Sequence, residues 1–236
     1  MDRLLNVPAG DLIIWFVVFL FACALHESAH AWTSDKFGDP TARYQGRITL
    51  NPIPHIDPIG TILIPLMGFL SGARFGMFGW AKFTPVNPLL WREKAKANIW
   101  VSAAGPISNF SLAAIAFLII KVLLGAGVLK PPYLGRPGPF DIVVPAVTGG
   151  AMEPLATMLS IFLILNITLG VFNLFPIPPL DGSHVLESLL PYDMAKAYEQ
   201  IQPYGFILLL AFVWTPIPGW ILNPIRRGVL MLLFSN

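Results

Sequence analysis

Three long stretches of this chain contain no charged residue. They comprise 24, 27 and 26 positions and lie between Lys96 and Lys121, between Glu153 and Asp181, and between Glu199 and Arg226. A helix needs roughly 20 mainly apolar residues to cross the hydrocarbon core of a bilayer, so each stretch can span a membrane. Only 12% of all residues are charged, about half the share typical of soluble domains. We therefore expect a protein embedded in a lipid bilayer.

The apolar pattern predicts an all-α polytopic membrane protein. Predicted spans cover about 11–37, 96–124, 154–174 and 204–222, and 228–234 returns partway into the membrane. We interpret the first span as a retained helix, because its start is not basic and no small-residue cleavage site follows. The expected organisation is a single membrane-embedded domain over 1–236, with a three-helix core at roughly 11–186 and C-terminal membrane segments at 204–234.

A shorter apolar segment interrupts this pattern. The 16 uncharged residues between Asp57 and Arg74 are too few to span comfortably, so 59–72 is predicted to be a re-entrant hairpin or a short tilted segment. Residues 75–88 have a strand-like composition with turn residues. The fold should therefore include a small re-entrant strand or hairpin region.

Charge and cysteine content exclude several classes of protein. The net charge is +2, with basic residues scattered singly, so no basic stripe indicates nucleic acid binding. The single cysteine, Cys23, excludes a disulfide framework and a cysteine-based metal cluster.

Basic residues concentrate on one side of the predicted spans. If 59–72 is re-entrant, the segment 34–98 stays on one side of the membrane and carries eight Lys or Arg residues, against three in 121–153. Cytoplasmic loops carry an excess of basic residues, so 34–98 is expected in the cytoplasm. The C-terminal ends of the first and third spans then lie toward the same side.

The polar end of the first span contains a metal-binding pattern. His26, Glu27 and His30 form H-E-x-x-H, which places two imidazoles one turn apart on one helical face. Such a pair can bind zinc, and the glutamate, rotated by about 100° from His26, can reach the water that zinc activates. Ionisable groups at membrane depth are costly unless they bind something. We predict one Zn²⁺ per chain.

A catalytic zinc usually has three protein ligands, so a third ligand must come from elsewhere. The candidates are Asp181, His184, His55, Asp57 and Glu187. Asp181 is favoured because it follows a long apolar span and is presented by the proline-rich turn PIPPLDG. An ordinary Asp-Gly turn would explain the same residues, so the alternatives stay open.

Three motifs together resemble the site-2 protease family of intramembrane zinc metalloproteases. They are HESAH at 26–30, AAGPISN at 103–109 and NLFPIPPLDG at 173–182. The similarity covers about 11–186 and is greatest to the compact bacterial branch that lacks PDZ domains. It implies a multi-pass protein of the bacterial inner membrane, with the active site toward the cytoplasm and a membrane protein or peptide as substrate.

The resemblance also implies roles for individual residues. His26, His30 and Asp181 would be the zinc ligands, and Glu27 would be the general base. Asn173 would help to bind the scissile carbonyl or its oxyanion. The motif at 103–109 would pack the core.

The resemblance further implies a substrate groove lined by the strand-like region 59–84. In and beside this region we expect Gly79, Trp80 and His55 to contact the substrate. The insertion at 46–60 is not shared with simpler members of the family, and the sequence assigns it no role.

Two other functions are compatible with an intramembrane metal site. A metal transporter or sensor would need polar groups on several spans, whereas 97–120 and 154–172 contain no carboxylate and no histidine. A catalytically inactive adaptor would have lost part of the core motifs, and none is missing. Hydrolysis of peptide bonds in or near transmembrane segments is the favoured function. The sequence does not indicate the oligomeric state.

Overall fold

Helices make up most of the computed structural model, which describes residues 8–70, 79–132, 140–147 and 149–235. The α-helices in this part of the chain are α1 (Ala9–Lys36), α2 (Thr41–Tyr44), α3 (Ile64–Leu70), α4 (Lys94–Gly125), α5 (Met152–Asn173), α6 (Asp181–Leu189), α7 (Tyr192–Glu199), α8 (Gly205–Val213) and α9 (Ile217–Phe234). The strands β1 (Leu129–Lys130) and β2 (Val144–Pro145) form an antiparallel pair. The predicted helical membrane fold is confirmed.

Three helices, α1, α4 and α5, are long and apolar enough to cross a membrane. Their ends agree with the predicted first three spans to within two residues. The end of α1 shows why: Gly38 has φ +107°, a conformation that glycine adopts without strain. The N–H groups of Gly38 and Asp39 then bind the carbonyls of Asp35 and Ser34 at 3.0 and 3.1 Å. The carbonyls at the helix end are thereby paired.

The predicted fourth span, 204–222, differs from the structure because it is not one straight helix. The apolar segments Tyr192–Val213 and Ile217–Phe234 are bent by 63° at the break between them. Pro216 and Pro218 flank the start of α9, and a proline lacks the N–H that would continue the preceding helix. The described residues thus contain three clear spanning helices, or four if the bent pair crosses as one.

The short apolar segment after Asp57, predicted to be a re-entrant hairpin or a short tilted segment, is helical, whereas the resemblance implied a strand-like region. A π-helical turn at Pro58–Leu63 continues into α3. The Asp57 side chain starts it by accepting hydrogen bonds from the N–H groups of Ile59 and Gly60 at 3.0 and 2.7 Å, as helix-capping residues do. Residues 71–78 lie outside the described residues. From 79 to 87 the chain has no regular secondary structure.

The core of the bundle is formed by α1, α4 and α5, with α4 packed against both of the others. One apolar cluster joins α4, α5 and α9 and contains Ile120, Leu163 and Leu233. A second cluster joins α1 to α5 and to Ala81. α4 runs opposite to α1, since His30 contacts Val101 whereas His26 contacts Asn109, and Asn109 in turn contacts Asn166 on α5. The polar residues of all three helices therefore meet at one level.

Candidate metal centre

His26 and His30 meet on one face of α1, as their spacing predicts. Their Nε2 atoms are 3.0 Å apart, and both rings are almost fully shielded from solvent. Each Nδ1 atom faces an oxygen on α4: the side-chain Oδ1 of Asn109 at 2.7 Å from His26, and the carbonyl oxygen of Val101 at 2.6 Å from His30. Each Nδ1–H therefore donates, and each Nε2 keeps its lone pair.

Asp181 is the third residue that the structure brings to this point. It is the first residue of α6, which begins there because Pro178 and Pro179 prevent a helix from forming earlier. Its Oδ2 lies 3.2 Å from Nε2 of His26, and its Oδ1 lies 3.4 Å from Nε2 of His30. One ligand atom from each of these three residues lies within 4.8 Å of the others.

The separations between these atoms fit a zinc ion. Ligand atoms bound about 2.0–2.1 Å from a tetrahedral zinc lie roughly 3.3 Å from one another, and here they are 3.0, 3.2 and 3.4 Å apart. Two imidazole lone pairs and a carboxylate face each other, so they would repel without a cation between them. Oδ2 of Asp181 is also one of the buried side-chain atoms, among the described residues, that have no hydrogen-bond partner. The donor set and its geometry both suit zinc.

Gly105 makes room for the two histidines. A Cβ atom at this position would lie 2.5 Å from Cε1 and from Nε2 of His26, and still closer to Nε2 of His30. Real Cβ atoms do not approach side-chain atoms so closely. The small residue in AAGPISN therefore lets α4 contact the imidazoles directly, which is a more specific role than general helix packing.

Glu27 is held beside the histidines by Thr84. The backbone N–H of Thr84 donates to Oε2 of Glu27 at 2.7 Å, and the Thr84 hydroxyl donates to the Glu27 carbonyl at 2.9 Å. Only 6% of Glu27 is exposed. The backbone N–H of Thr84 therefore orients the carboxylate.

The insertion at 46–60, to which the sequence assigned no role, supports the segment that carries Thr84. Arg47 is buried, and its guanidinium donates to the carbonyls of Lys82 and Phe83 at 2.8 and 2.7 Å. The carbonyl of His55 accepts from the N–H of Lys82 at 2.8 Å. These bonds fix the backbone immediately before Thr84.

Burial also affects Arg47 directly, since loss of hydration lowers the pKa of its guanidinium, while the nearby Glu27 carboxylate opposes that shift. A guanidinium is not deprotonated in proteins, so Arg47 keeps donating to both carbonyls.

A cavity of about 960 Å³ opens from the metal centre between the helices. We call it the central cavity. Its walls include His26, Glu27, His30, Asn173 and Asp181, and continue over apolar residues of α5, α8 and α9. Gly79 and Trp80 also line it, as does Asn173, whose Nδ2 donates to the carbonyl of Leu169 at 3.0 Å. An apolar polypeptide segment could reach the metal centre through this space.

The remaining candidates for a third ligand are not grouped with the two histidines. His55 is 2% exposed and is not among the residues that line the central cavity; its Nε2 lies 3.1 Å from the Thr49 carbonyl. Asp57 caps the helical turn at 58–63. His184 lines the cavity but faces Glu187 at 3.8 Å. These four side chains thus have other partners.

Sequence reasoning gave no role in the site to Thr84, Asn109 or Asn166. Thr84 bonds directly to Glu27 and Asn109 to His26, whereas Asn166 bonds to Asn109. Asn166 carried a usable signal, because a polar amide in an otherwise apolar span needs a partner. Thr84 lies in an irregular segment, where no periodicity marks a functional side chain.

Comparison with known proteins agrees with this geometry. The sequence model described as Peptidase family M50 matches residues 14–214. A Bacillus subtilis protein named "Putative zinc metalloprotease YwhC" is 37% identical over 238 residues, covering 100% of this chain and 97% of that protein. A Mycolicibacterium smegmatis protein named "Putative zinc metalloprotease Rip2" is 29% identical, covering 88% of this chain and 69% of that protein.

The Mycobacterium tuberculosis protein of the same name, Rip2, is 26% identical over 96% of this chain and 75% of its own length. No solved structure matches this chain. The metal centre described above lies within the matched residues.

Proposed function

Because this chain belongs to peptidase family M50 and is both a zinc metallopeptidase and a multi-pass membrane protein, we propose that it hydrolyses peptide bonds in or near transmembrane segments. The observation that carries the proposal is that both histidines lie within α1, one of the helices long and apolar enough to cross a membrane. At a rise of 1.5 Å per residue, His26 and His30 lie about 15 and 9 Å along α1 from its end at Lys36. The central cavity joins them to apolar walls of spanning helices.

His26, His30 and Asp181 would hold the zinc. When bound there, zinc supplies Lewis acidity that polarises the scissile carbonyl and makes water easier to deprotonate. The three side chains are fixed before substrate arrives, because α1 presents both histidines and the proline turn before α6 presents the carboxylate. Little reorganisation is then needed at the moment of reaction.

Glu27 would act as the general base. With Oε2 occupied by the N–H of Thr84, Oε1 is the oxygen that takes a proton from the attacking water. The same carboxyl group then gives that proton to the leaving amine. Asn173 lines the same cavity. One of its two amide N–H groups donates to the Leu169 carbonyl, and the second would donate to the oxygen of the scissile carbonyl as that oxygen gains charge.

Residues 79–84 would position the substrate backbone. The N–H groups of Trp80, Lys82 and Thr84 bind groups on one side of this segment. The two residues between them, Ala81 and Phe83, both line the central cavity. A substrate that has unwound from a helix could pair with this edge, which would replace its lost internal hydrogen bonds.

We further propose that the whole chain, 1–236, acts as one membrane-embedded domain with the site toward the cytoplasm of a bacterial cell. The support is the excess of basic residues in 34–98 over 121–153. The C-terminal ends of α1 and α5, which carry the site, lie on that same basic side.

Replacing Glu27 by glutamine is expected to keep zinc bound and to lower cleavage by about 10²- to 10⁴-fold. Glutamine has nearly the same size and its oxygen can still accept from Thr84, but its amide takes no proton from water. The measurement is zinc per chain in the detergent-purified protein, together with cleavage of a model transmembrane peptide in lipid vesicles. A soluble peptide with the same scissile sequence and no spanning segment should be cleaved more slowly.

The matched control is Glu199→Gln at the exposed end of α7, which should cleave like the wild type. Full activity of Glu27→Gln would contradict the base assignment. Stoichiometric zinc without cleavage of any membrane peptide by the wild type would contradict the proposed substrate class and favour a cation-carrying role.

Replacing Arg47 by glutamine is expected to reduce the turnover rate by up to about 10²-fold while zinc stays bound. The reason is that a displacement of about 1 Å in a catalytic group can cost this much, and Arg47 holds the backbone that leads to Thr84. Arg43→Gln, which removes an exposed cation that pairs with Asp35, is the control and should leave turnover unchanged. Equal turnover in both variants would refute this role for Arg47.

A further inference from the structure

Two asparagines are fully buried within the spanning helices. Asn109 on α4 and Asn166 on α5 are each 0% exposed. A primary amide has two donors and two acceptor lone pairs, and burying it away from water is unfavourable unless these groups are paired. Their hydrogen bonds therefore need a full account.

The two amides form a continuous hydrogen-bonded chain that ends on a metal-ligand candidate. Nδ2 of Asn166 donates to the carbonyl of Phe162 at 2.9 Å. Oδ1 of Asn166 accepts from Nδ2 of Asn109 at 2.9 Å. Oδ1 of Asn109 lies 2.7 Å from Nδ1 of His26. The chain thus crosses from α5 through α4 to α1.

The direction of every bond in this chain is set at its α5 end. The carbonyl of Phe162 can only accept, so Nδ2 of Asn166 must face it and Oδ1 must face Asn109. Asn109 must then present Nδ2 to Asn166, which leaves its Oδ1 for His26. An oxygen at that point accepts only a proton carried on Nδ1, so the neutral imidazole of His26 keeps its lone pair on Nε2.

We propose that Asn109 and Asn166 are positioning residues for zinc: together they hold His26 in the tautomer and ring orientation whose Nε2 faces His30 and Asp181. This inference rests on the proposed zinc site. It differs from ordinary adhesion between helices, which the Asn109–Asn166 bond would supply without any contact to His26. Groups that orient a histidine ligand typically contribute about 10- to 100-fold to metal affinity.

The test is the zinc dissociation constant of the full chain, measured in detergent by competition with a chromophoric chelator. Asn109→Leu is expected to weaken zinc binding by about 10- to 100-fold. Asn166→Leu, which leaves the contact with His26 intact but removes its fixed direction, should weaken binding by a smaller factor. Asn109→Asp keeps an oxygen that accepts from Nδ1 of His26 but loses the N–H that Asn109 donates to Oδ1 of Asn166, so it should bind zinc more tightly than Asn109→Leu.

A buried hydroxyl on the same helix provides the matched control. Ser160 on α5 is 0% exposed, and its hydroxyl donates to the Ala156 carbonyl at 2.8 Å, outside the hydrogen-bonded chain of Asn166, Asn109 and His26. Ser160→Ala should keep the wild-type zinc affinity. A loss of zinc affinity in this variant would show that a general loosening of α5 is enough to weaken zinc binding.

The following outcomes decide between the alternatives. Wild-type affinity in Asn109→Leu would overturn the inference, and so would an Asn109→Asp variant as weak as Asn109→Leu. His26→Ala serves as the separate test of the underlying site: if that variant still bound one zinc tightly, the proposed function itself would fail. If His26→Ala loses zinc while Asn109→Leu does not, only the inference that Asn109 and Asn166 position His26 is wrong.

Discussion

Replacing Gly105 by alanine is expected to abolish zinc binding and, with it, peptide cleavage. The added Cβ would lie 2.5 Å from two atoms of the His26 ring and closer still to Nε2 of His30. The two imidazoles would have to rotate away, and their Nε2 atoms could no longer converge on one ion with Asp181. Alanine is otherwise the better helix former by about 0.8–1.0 kcal/mol, so a loss of function could not be attributed to weaker helix propensity.

The measurement is zinc per chain and peptide cleavage, compared with Gly125→Ala in the same helix. A Cβ at Gly125 meets no atom within 4 Å, so this control should keep full zinc and activity. If Gly105→Ala bound zinc at wild-type stoichiometry, the close approach of α4 to the histidines would have no functional importance.

Replacing Asp181 by asparagine should lower zinc affinity by more than about 100-fold. Losing a group that only orients a ligand typically costs up to about 100-fold, and the loss of a ligand should cost more. The substitution keeps the size of the side chain and the turn that presents it. It removes the negative charge that lies 3.2 and 3.4 Å from the two histidine nitrogens and leaves a neutral amide, which is a poor zinc ligand. Cleavage at micromolar zinc should be lost accordingly.

Chelator competition again gives the affinity, and Asp193→Asn on the exposed side of α7 is the control. The control should match the wild type. A zinc affinity in Asp181→Asn within a few-fold of the wild type would show that another residue supplies the third ligand, with His184, on the wall of the same cavity, the first to test.

Most of the membrane topology could be predicted from the chain alone. Bilayer thickness imposes a minimum length on any spanning helix, so uncharged stretches of 24 and 27 residues located α4 and α5 closely. The same argument did not show the bend within 204–222, because a count of uncharged positions includes Pro216 and Pro218 and does not register their missing N–H groups. For the short apolar segment after Asp57, it left both a re-entrant hairpin and a short tilted segment open.

The site divides in a similar way. The i, i+4 spacing of His26 and His30 is a local property of a helix, so the sequence alone predicted that they share a face. The third ligand depended on which distant turn reaches that face. Asp181 was favoured with alternatives left open, and the tertiary structure brings its carboxylate, rather than those of Asp57 or Glu187, against the histidines. The contact of Asn173 with a substrate carbonyl stays a prediction.

The sequence by itself determined that this protein lies in a lipid bilayer, where its three long helices are and that two histidines share a helical face in H-E-x-x-H. Each of these follows from length, polarity or spacing within one helix. Only the tertiary structure decided how Gly105 admits the histidines, how Thr84 orients Glu27, and how Asn166 acts on His26 through Asn109. These contacts join residues far apart in the chain. They depend on how whole helices pack, and local spacing in the sequence carries no information about that packing.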